Sequence, residues 1–373
     1  MDRRVPGMTP EAWAGIQHRY EAWWRGDLHD RPLVQVTAPR DGAPPLVPWK
    51  GGASTPEERW TDIEFAIWQT EQRLARTWFG GEALPALDSY QSPIGMSAGG
   101  GILFGCTPRY APDTVWVDPL KGADGPTGDG FPDLVVDPAR RLWIRDAFER
   151  AGRASRGRFY GRESFANHAG DTLATIRGTE QLLIDLLEDP GWVARSLERI
   201  NEVLREFMAE LLPLQSPEVL GLEGWVSTAG MWSADRNFIP DCDVSCMVSP
   251  RQFEEIFLPP LRRAMRDFAH NLYHLDGTEA LRHLEALLAT PEINGIQWVA
   301  GAGREDLARW VPLVRRIQSA GRCVQLIARP EEIEPMLREV SPRGLLFSTS
   351  CRTESEGRAL VKRVARLSGV SEA

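Results

Sequence analysis

Residues 271–303 read NLYHLDGTEALRHLEALLATPEINGIQWVAGAG. An apolar run at 271–275 gives way to a helical pattern at 278–289, with Leu281, Leu284, Leu287 and Leu288 on one face, and then to a second run at 295–299. Strand, helix and strand at such close spacing form a βαβ unit, whose crossover requires parallel pairing. The order repeats downstream. A helix is expected at 304–320, with Leu307, Trp310, Val311, Val314 and Ile317 inward, a kink at Pro312 and a stop at Gly321. A strand at 323–328, a helix from Pro330 to about 340, a strand at 344–350 and a closing helix at 354–367 complete the C-terminal third.

Upstream the pattern is noisier. A helix at 10–25 precedes an apolar strand at 32–37, and a long helix is expected at 56–79. Further strands are expected at 84–90, 158–161 and 219–226, which brings the total to about eight, the number of a closed barrel. Residues 178–212 read as two helices parted by Asp189-Pro190. The Gly- and Pro-rich segment 92–137, with its short run at 114–117, reads as a hairpin and loops. The expected architecture is a (β/α)8 TIM barrel. One domain spans 1–373, with a helical extension at 1–30 and long loops over the C-terminal rim of the strands.

Bulk properties agree. The 373 residues fit one barrel of about 250 with extensions, and 42% hydrophobic with 25% charged residues is a globular balance. A net charge of -9 repels nucleic acid on average, and the Arg-rich stretch from Arg140 to Arg158 is interleaved with acids like a solvated helix face. No apolar run is long enough for a membrane span, and residues 1–10 lack a signal-peptide pattern. Five cysteines, an odd number in a long chain, suit reduced thiols rather than a disulfide framework. A cytoplasmic enzyme with a small-molecule substrate is the expectation.

In a parallel barrel the working groups project from strand C-termini. Alternation puts His274 and Asp276 of YHLDG on one side of their strand, while the last strand delivers Cys351 in FSTSC. Imidazole, carboxylate and thiolate are zinc ligands, and a catalytic zinc keeps one position open. The other reading makes His274 and Asp276 a structural pair and Cys351 a small rim residue. Glu223 is a candidate further ligand or base, or else a loop anchor. Asp243, with Cys242 and Cys246, precedes the Ser249-Pro250 helix entry and either lines the pocket or serves a turn. Gln297 is the expected inward polar contact and Trp298 a packing residue or pocket wall. Fourteen tryptophans are mostly core, with a few, Trp225 among the candidates, able to floor a site for a flat cofactor or methylated cation. Gly301-Ala302-Gly303 is a tight turn or an anion-binding loop.

Several of these stretches resemble the uroporphyrinogen decarboxylase superfamily, including its corrinoid-dependent methyltransferase branch. They are YHLDGTEALRHLEALLATPEINGIQWVAGAG, DCDVSCMVSPRQFEEIFLPPLRRAM from Asp241, GTEQLLIDLLEDPGWV from Gly178 and RPLVQVTAPR ending at Arg40. The resemblance implies an eight-stranded α/β barrel. In the methyltransferase branch, a His-x-Cys and a later Cys bind zinc, which activates a thiol to accept methyl from a corrinoid carried by a separate protein. His274 and Cys351 match two of these ligands, but Asp276 stands where the first Cys would be. A carboxylate donates less charge than a thiolate and leaves the ion a stronger Lewis acid. The decarboxylase branch grips its polycarboxylate with paired arginines; Arg40 stands alone here, against porphyrinogen decarboxylation. The functions implied are therefore zinc-assisted methyl transfer with methylcobalamin as co-substrate or, as alternatives, a metal-free lyase using Arg40 with Asp243 or His274, and a non-catalytic ligand-binding barrel.

Overall fold

The computed structural model describes residues 3–87, 100–120, 136–161 and 169–367. In chain order its strands are β1 (Leu33–Pro39), β2 (Thr77–Gly81), β3 (Thr107–Tyr110), β4 (Val115–Asp118), β5 (Trp225–Val226), β6 (Trp232–Ser233), β7 (Asn237–Phe238), β8 (His270–Asp276), β9 (Gly295–Val299), β10 (Cys323–Ile327) and β11 (Leu345–Ser350). Seven of them form one sheet in the order β2-β1-β11-β10-β9-β8-β7. Every neighbouring pair is parallel except β1 with β2. The fold is therefore mixed α/β around a mostly parallel sheet. Among the described residues the pairing does not run full circle. The expected strand at 158–161 is reduced to a parallel bridge between Ala86 and Tyr160, and 88–90 of the expected strand 84–90 lie outside the described residues, as do 92–99 and 121–135 of the Gly/Pro-rich segment. The hairpin expected there is β3 with β4.

Three other expectations are corrected. The helix expected at 56–79 breaks at Asp62, which ends Pro56–Thr61 and caps Ile63–Ala75 by accepting from the Glu64 and Phe65 N–H groups; a short polar side chain competes for backbone donors in this way. The segment beyond it returns as β2, antiparallel to β1. Residues 219–226 are not one strand: Ser216-Pro217 starts the helical turn Pro217–Leu220, Gly221 ends it at φ 65°, and only Trp225–Val226 is extended. Pro312 kinks nothing, because it sits in the first turn of the helix Val311–Ser319, where its missing N–H costs no hydrogen bond.

Alternation divides the sheet into two faces. Val34, Val36, Tyr273, Leu275, Ile296, Trp298, Val324, Leu326, Leu345 and Phe347 join the main helix-packed core. The opposite face is graded along the strands. At its N-terminal end Leu33, Leu272, Cys323 and Leu346 share a second cluster with Trp13, Tyr20, Trp23 and Trp24 of the helix Pro10–Trp24. Trp24 stacks on His270 with ring centroids 4.8 Å apart, and its indole N–H donates to the Trp232 carbonyl at 2.9 Å. The N-terminal helix is thus a plug, and it carries three of the tryptophans, Trp13, Trp23 and Trp24. Buried Glu82 fixes it by accepting from Arg19 at 2.9 Å, from Arg31 at 2.7 Å and from the Val34 N–H at 2.8 Å.

Asp189 caps the helix Pro190–Leu211, accepting from the Trp192 N–H at 2.8 Å. Behind it the fully buried Asp185 takes two hydrogen bonds from Arg177, at 2.6 and 3.1 Å. Breaking one side of a buried ion pair leaves an uncompensated charge. Asp185→Ala is expected to lower unfolding stability in urea by about 3–5 kcal/mol, whereas Glu339→Ala, which breaks the exposed Arg315–Glu339 pair, costs under about 1 kcal/mol. Equal losses in the two variants would contradict this assignment.

Candidate functional site

His274 and Asp276 project from the C-terminal half of β8, on the graded face. Leaving β7, the chain passes Pro240, whose carbonyl accepts the His274 backbone N–H at 2.8 Å, and enters a short 3-10 helix at Asp243–Met247. Asp171, on the helix Ala169–Arg177, accepts the N–H groups of Asp243 at 3.0 Å and Val244 at 2.8 Å. This grip holds Asp243 beside the end of β8. One ligand atom each from Asp243, His274 and Asp276 lie within 4.8 Å of one another. Both carboxylates are exposed and the imidazole is half-buried, so the group opens to solvent on one side.

Below this rim runs a layer of polar side chains, one from each successive parallel strand. His274 Nδ1 lies 2.5 Å from Gln297 Oε1 on β9. Gln297 Nε2 donates to Gln325 Oε1 on β10 at 2.9 Å, and Gln325 Nε2 donates to Ser348 Oγ on β11 at 2.9 Å and to the Ala229 carbonyl at 3.1 Å. Ser348 Oγ in turn donates to Gln35 Oε1 on β1 at 2.7 Å. Gln35 Nε2 donates to the Gly230 carbonyl and to Tyr20 Oη, both at 2.8 Å. The three glutamines are buried, and burial of amides is tolerable because each is bonded.

Other expected site residues lie elsewhere. Cys351, at the end of β11, is buried and donates its backbone N–H to Thr37; it lines a cavity of about 680 Å³ with Arg329, Glu356 and Arg363 and does not join the three-residue group. The Glu223 carboxylate accepts from Trp13 Nε1 at 2.7 Å and Gln17 Nε2 at 2.8 Å, so it anchors the N-terminal helix. Arg40 is exposed and lines a cavity with Trp78 and Arg158. Trp225 is half-buried on β5, opposite Ser233. Trp298 faces the helices, edge-on to Trp310, while also lining a cavity of about 470 Å³ with Asp276 and Arg329. In the Gly301–Gly303 turn the Gly303 N–H is taken by Glu305 at 2.7 Å.

All five cysteines are held as thiols. Burial pushes Cys351 up, with Glu356 adding and Arg363 subtracting. Burial does the same for Cys246, reinforced by Asp243, Asp171 and Glu279, and for Cys242, where Asp171 and Asp241 add to it. Cys106 is pushed to about 11 and Cys323 to about 12. None is poised as a thiolate nucleophile at neutral pH.

Sequence reasoning passed over Gln35, Gln325, Ser348 and Asp171. Gln35 and Gln325 carry a legible signal, a polar residue between apolar neighbours in the middle of a parallel strand, whereas Ser348 opens the polar end of LLFSTS. Asp171 carries none, since its role depends on a contact between segments far apart in the chain. Asp171→Ala leaves the Asp243 and Val244 N–H groups without this acceptor, so their hydrogen exchange is expected to accelerate by on the order of 10-fold or more, for a lost hydrogen bond of about 1–3 kcal/mol. Unchanged exchange at both amides would show that Asp171 does not hold this turn.

Compared with known protein families and with curated proteins, the chain matches none.

Proposed function

We propose that the chain is an enzyme in which Asp243, His274 and Asp276 hold a divalent cation for methyl transfer between a corrinoid and a small thiol or methylated substrate. The observation that carries the cation is the convergence of two side chains from the end of β8 with Asp243 from the 3-10 turn beside it. One imidazole and two carboxylates suit zinc or another borderline-to-hard divalent ion, and they leave coordination positions open. This donor set differs from the one implied by the family resemblance: Asp243 takes the third place, with Cys351 and Glu223 outside it. Bound there, a cation would act as a Lewis acid that lowers the pKa of a coordinated thiol or water.

The chain's own residues divide the remaining work. Asp243 and Asp276 supply negative charge at the open side, Asp171 fixes the turn that carries Asp243, and Gln297 orients His274. Methyl transfer itself rests on the resemblance of the quoted segments. The cavity of about 470 Å³ lined by Asp276, Trp298, Glu305 and Arg329 falls in the range of small-ligand sites, and a corrinoid, being larger, fits better as cargo of a separate protein docking on the rim. Arg40 and its cavity share no residue with the cluster, which favours the cation reading over a metal-free lyase gripping a carboxylate there.

The same reading closes the sheet into an eight-stranded barrel. Hydrogen bonds from the Glu82 N–H to Val34 O, Leu87 N–H to Tyr160 O, Tyr160 N–H to Pro85 O and Gly157 N–H to Leu220 O support a path from β1 through 82–87 and 157–161 to 220–226, which together with β8, β9, β10 and β11 make the eight, the two-residue β7 being a side pairing at the start of β8. No helix among the described residues is long and apolar enough to cross a membrane, and the free cysteines fit the reducing cytoplasm.

Metal analysis and a methylcobalamin–thiol assay on the purified chain test the proposal together. About one zinc or manganese ion per chain is expected, with affinity falling by more than about 100-fold in His274→Ala or Asp243→Ala and unchanged in Cys351→Ala and Glu223→Gln. Chelation should abolish demethylation of methylcobalamin. Full activity in the metal-free chain, or loss of the ion in Cys351→Ala alone, would overturn it.

A further inference from the structure

We infer that Gln297 and Gln325 are positioning residues that set the tautomer of His274, so that Nε2 is the nitrogen presented to a ligand. This rests on the cation reading for its purpose, but not for its geometry. An amide side chain can be turned over, and an isolated Gln beside a histidine says nothing about which ring nitrogen holds the proton. Here the choice is made at the far end of the chain. The carbonyls of Ala229 and Gly230 can only accept. Ala229 O therefore requires Gln325 to turn its Nε2 toward it, and Gly230 O requires the same of Gln35.

With both amides pinned, every link between them has one direction. Gln325 Nε2 donates to Ser348 Oγ and Ser348 donates to Gln35 Oε1, while Gln325 Oε1 is left as an acceptor. It receives Gln297 Nε2, and that fixes Gln297 with Oε1 toward His274. An amide oxygen cannot donate, so His274 Nδ1 carries the hydrogen whether the ring is neutral or charged. In the neutral ring the lone pair is then on Nε2, available for a cation or for a proton from substrate. A metal-binding histidine commonly has its second nitrogen committed in this way, and removal of such a partner costs about 10–100-fold in affinity. Two backbone carbonyls on the segment between β5 and β6 thus set the chemistry of a side chain on β8.

The test reads the ring directly. The metal-free protein, labelled with 15N-histidine, is examined by long-range 15N–1H correlation, with the His274 signals assigned by their loss in His274→Gln. The wild type is expected in the Nδ1–H form, and this arm needs no variant to fold. In Gln325→Leu, Gln297 loses the acceptor that orients it and its amide is free to turn; the Nε2–H form, which free histidine prefers, is expected to dominate, with Zn²⁺ affinity down about 10–100-fold. Gln325→Glu, held protonated by burial, keeps an oxygen toward Gln297 and a hydroxyl toward Ala229 O, and is expected to retain the Nδ1–H form. An Nε2–H wild type, or a Gln325→Leu tautomer identical to wild type, overturns the inference. Absence of Zn²⁺ binding to a wild type in the Nδ1–H form would overturn the cation reading while supporting the relay.

Discussion

Parallel strands buried on both faces have no polar surface to spare, yet this sheet carries Gln325, Gln297 and His274 side by side on one face and, two residues further along β11, Ser348 beside Gln35. The constraint on such a layer is severe. A single unmet amide there costs on the order of 1–3 kcal/mol, so the side chains persist only as a mutually satisfied row, and the row needs an end that cannot turn over. Ala229 and Gly230 provide it. The N-terminal helix supports that end, because Tyr20 accepts from Gln35 and donates to the Glu82 carbonyl at 2.8 Å. Helix, sheet interior and rim are in this sense one hydrogen-bonded unit.

The same face explains where chemistry can sit. Its N-terminal end is plugged by Trp13, Tyr20, Trp23 and Trp24, its middle is the polar row, and only its C-terminal end meets solvent, at Asp276 and the neighbouring Asp243. Water reaches the carboxylates but not the amides behind the imidazole. Charge is therefore placed where ligands can arrive, and direction is set where they cannot.

The C-terminal strands were legible from sequence almost to the residue: 271–275 against His270–Asp276, 295–299 against Gly295–Val299, and 344–350 against Leu345–Ser350. Long apolar runs between capped helices leave little choice. The front half was less so because its extended segments are short and helix signals intrude, as at Ser216-Pro217 and Asp62. At the site, alternation alone paired His274 with Asp276, whereas Asp243 was legible only as a residue before the Ser249-Pro250 helix entry, since the two-residue β7 that leads to it leaves no pattern. Sequence gives a residue's height along a strand but not its angle around the sheet. Cys351 stands at a comparable height, yet β9 and β10 lie between its strand and β8; at about 4.8 Å per strand it is on the order of 14 Å away. Glu223 belongs to the opposite end, where its partners are Trp13 and Gln17.

The central claim is that three oxygen and nitrogen donors, and no thiolate, form the centre. Anomalous diffraction at the zinc edge from crystals of the chain grown with Zn²⁺ addresses it most directly. The account predicts one strong peak at bonding distance from Asp243, Asp276 and Nε2 of His274. A peak on Cys351 instead, or coordination through Nδ1 of His274, would contradict it.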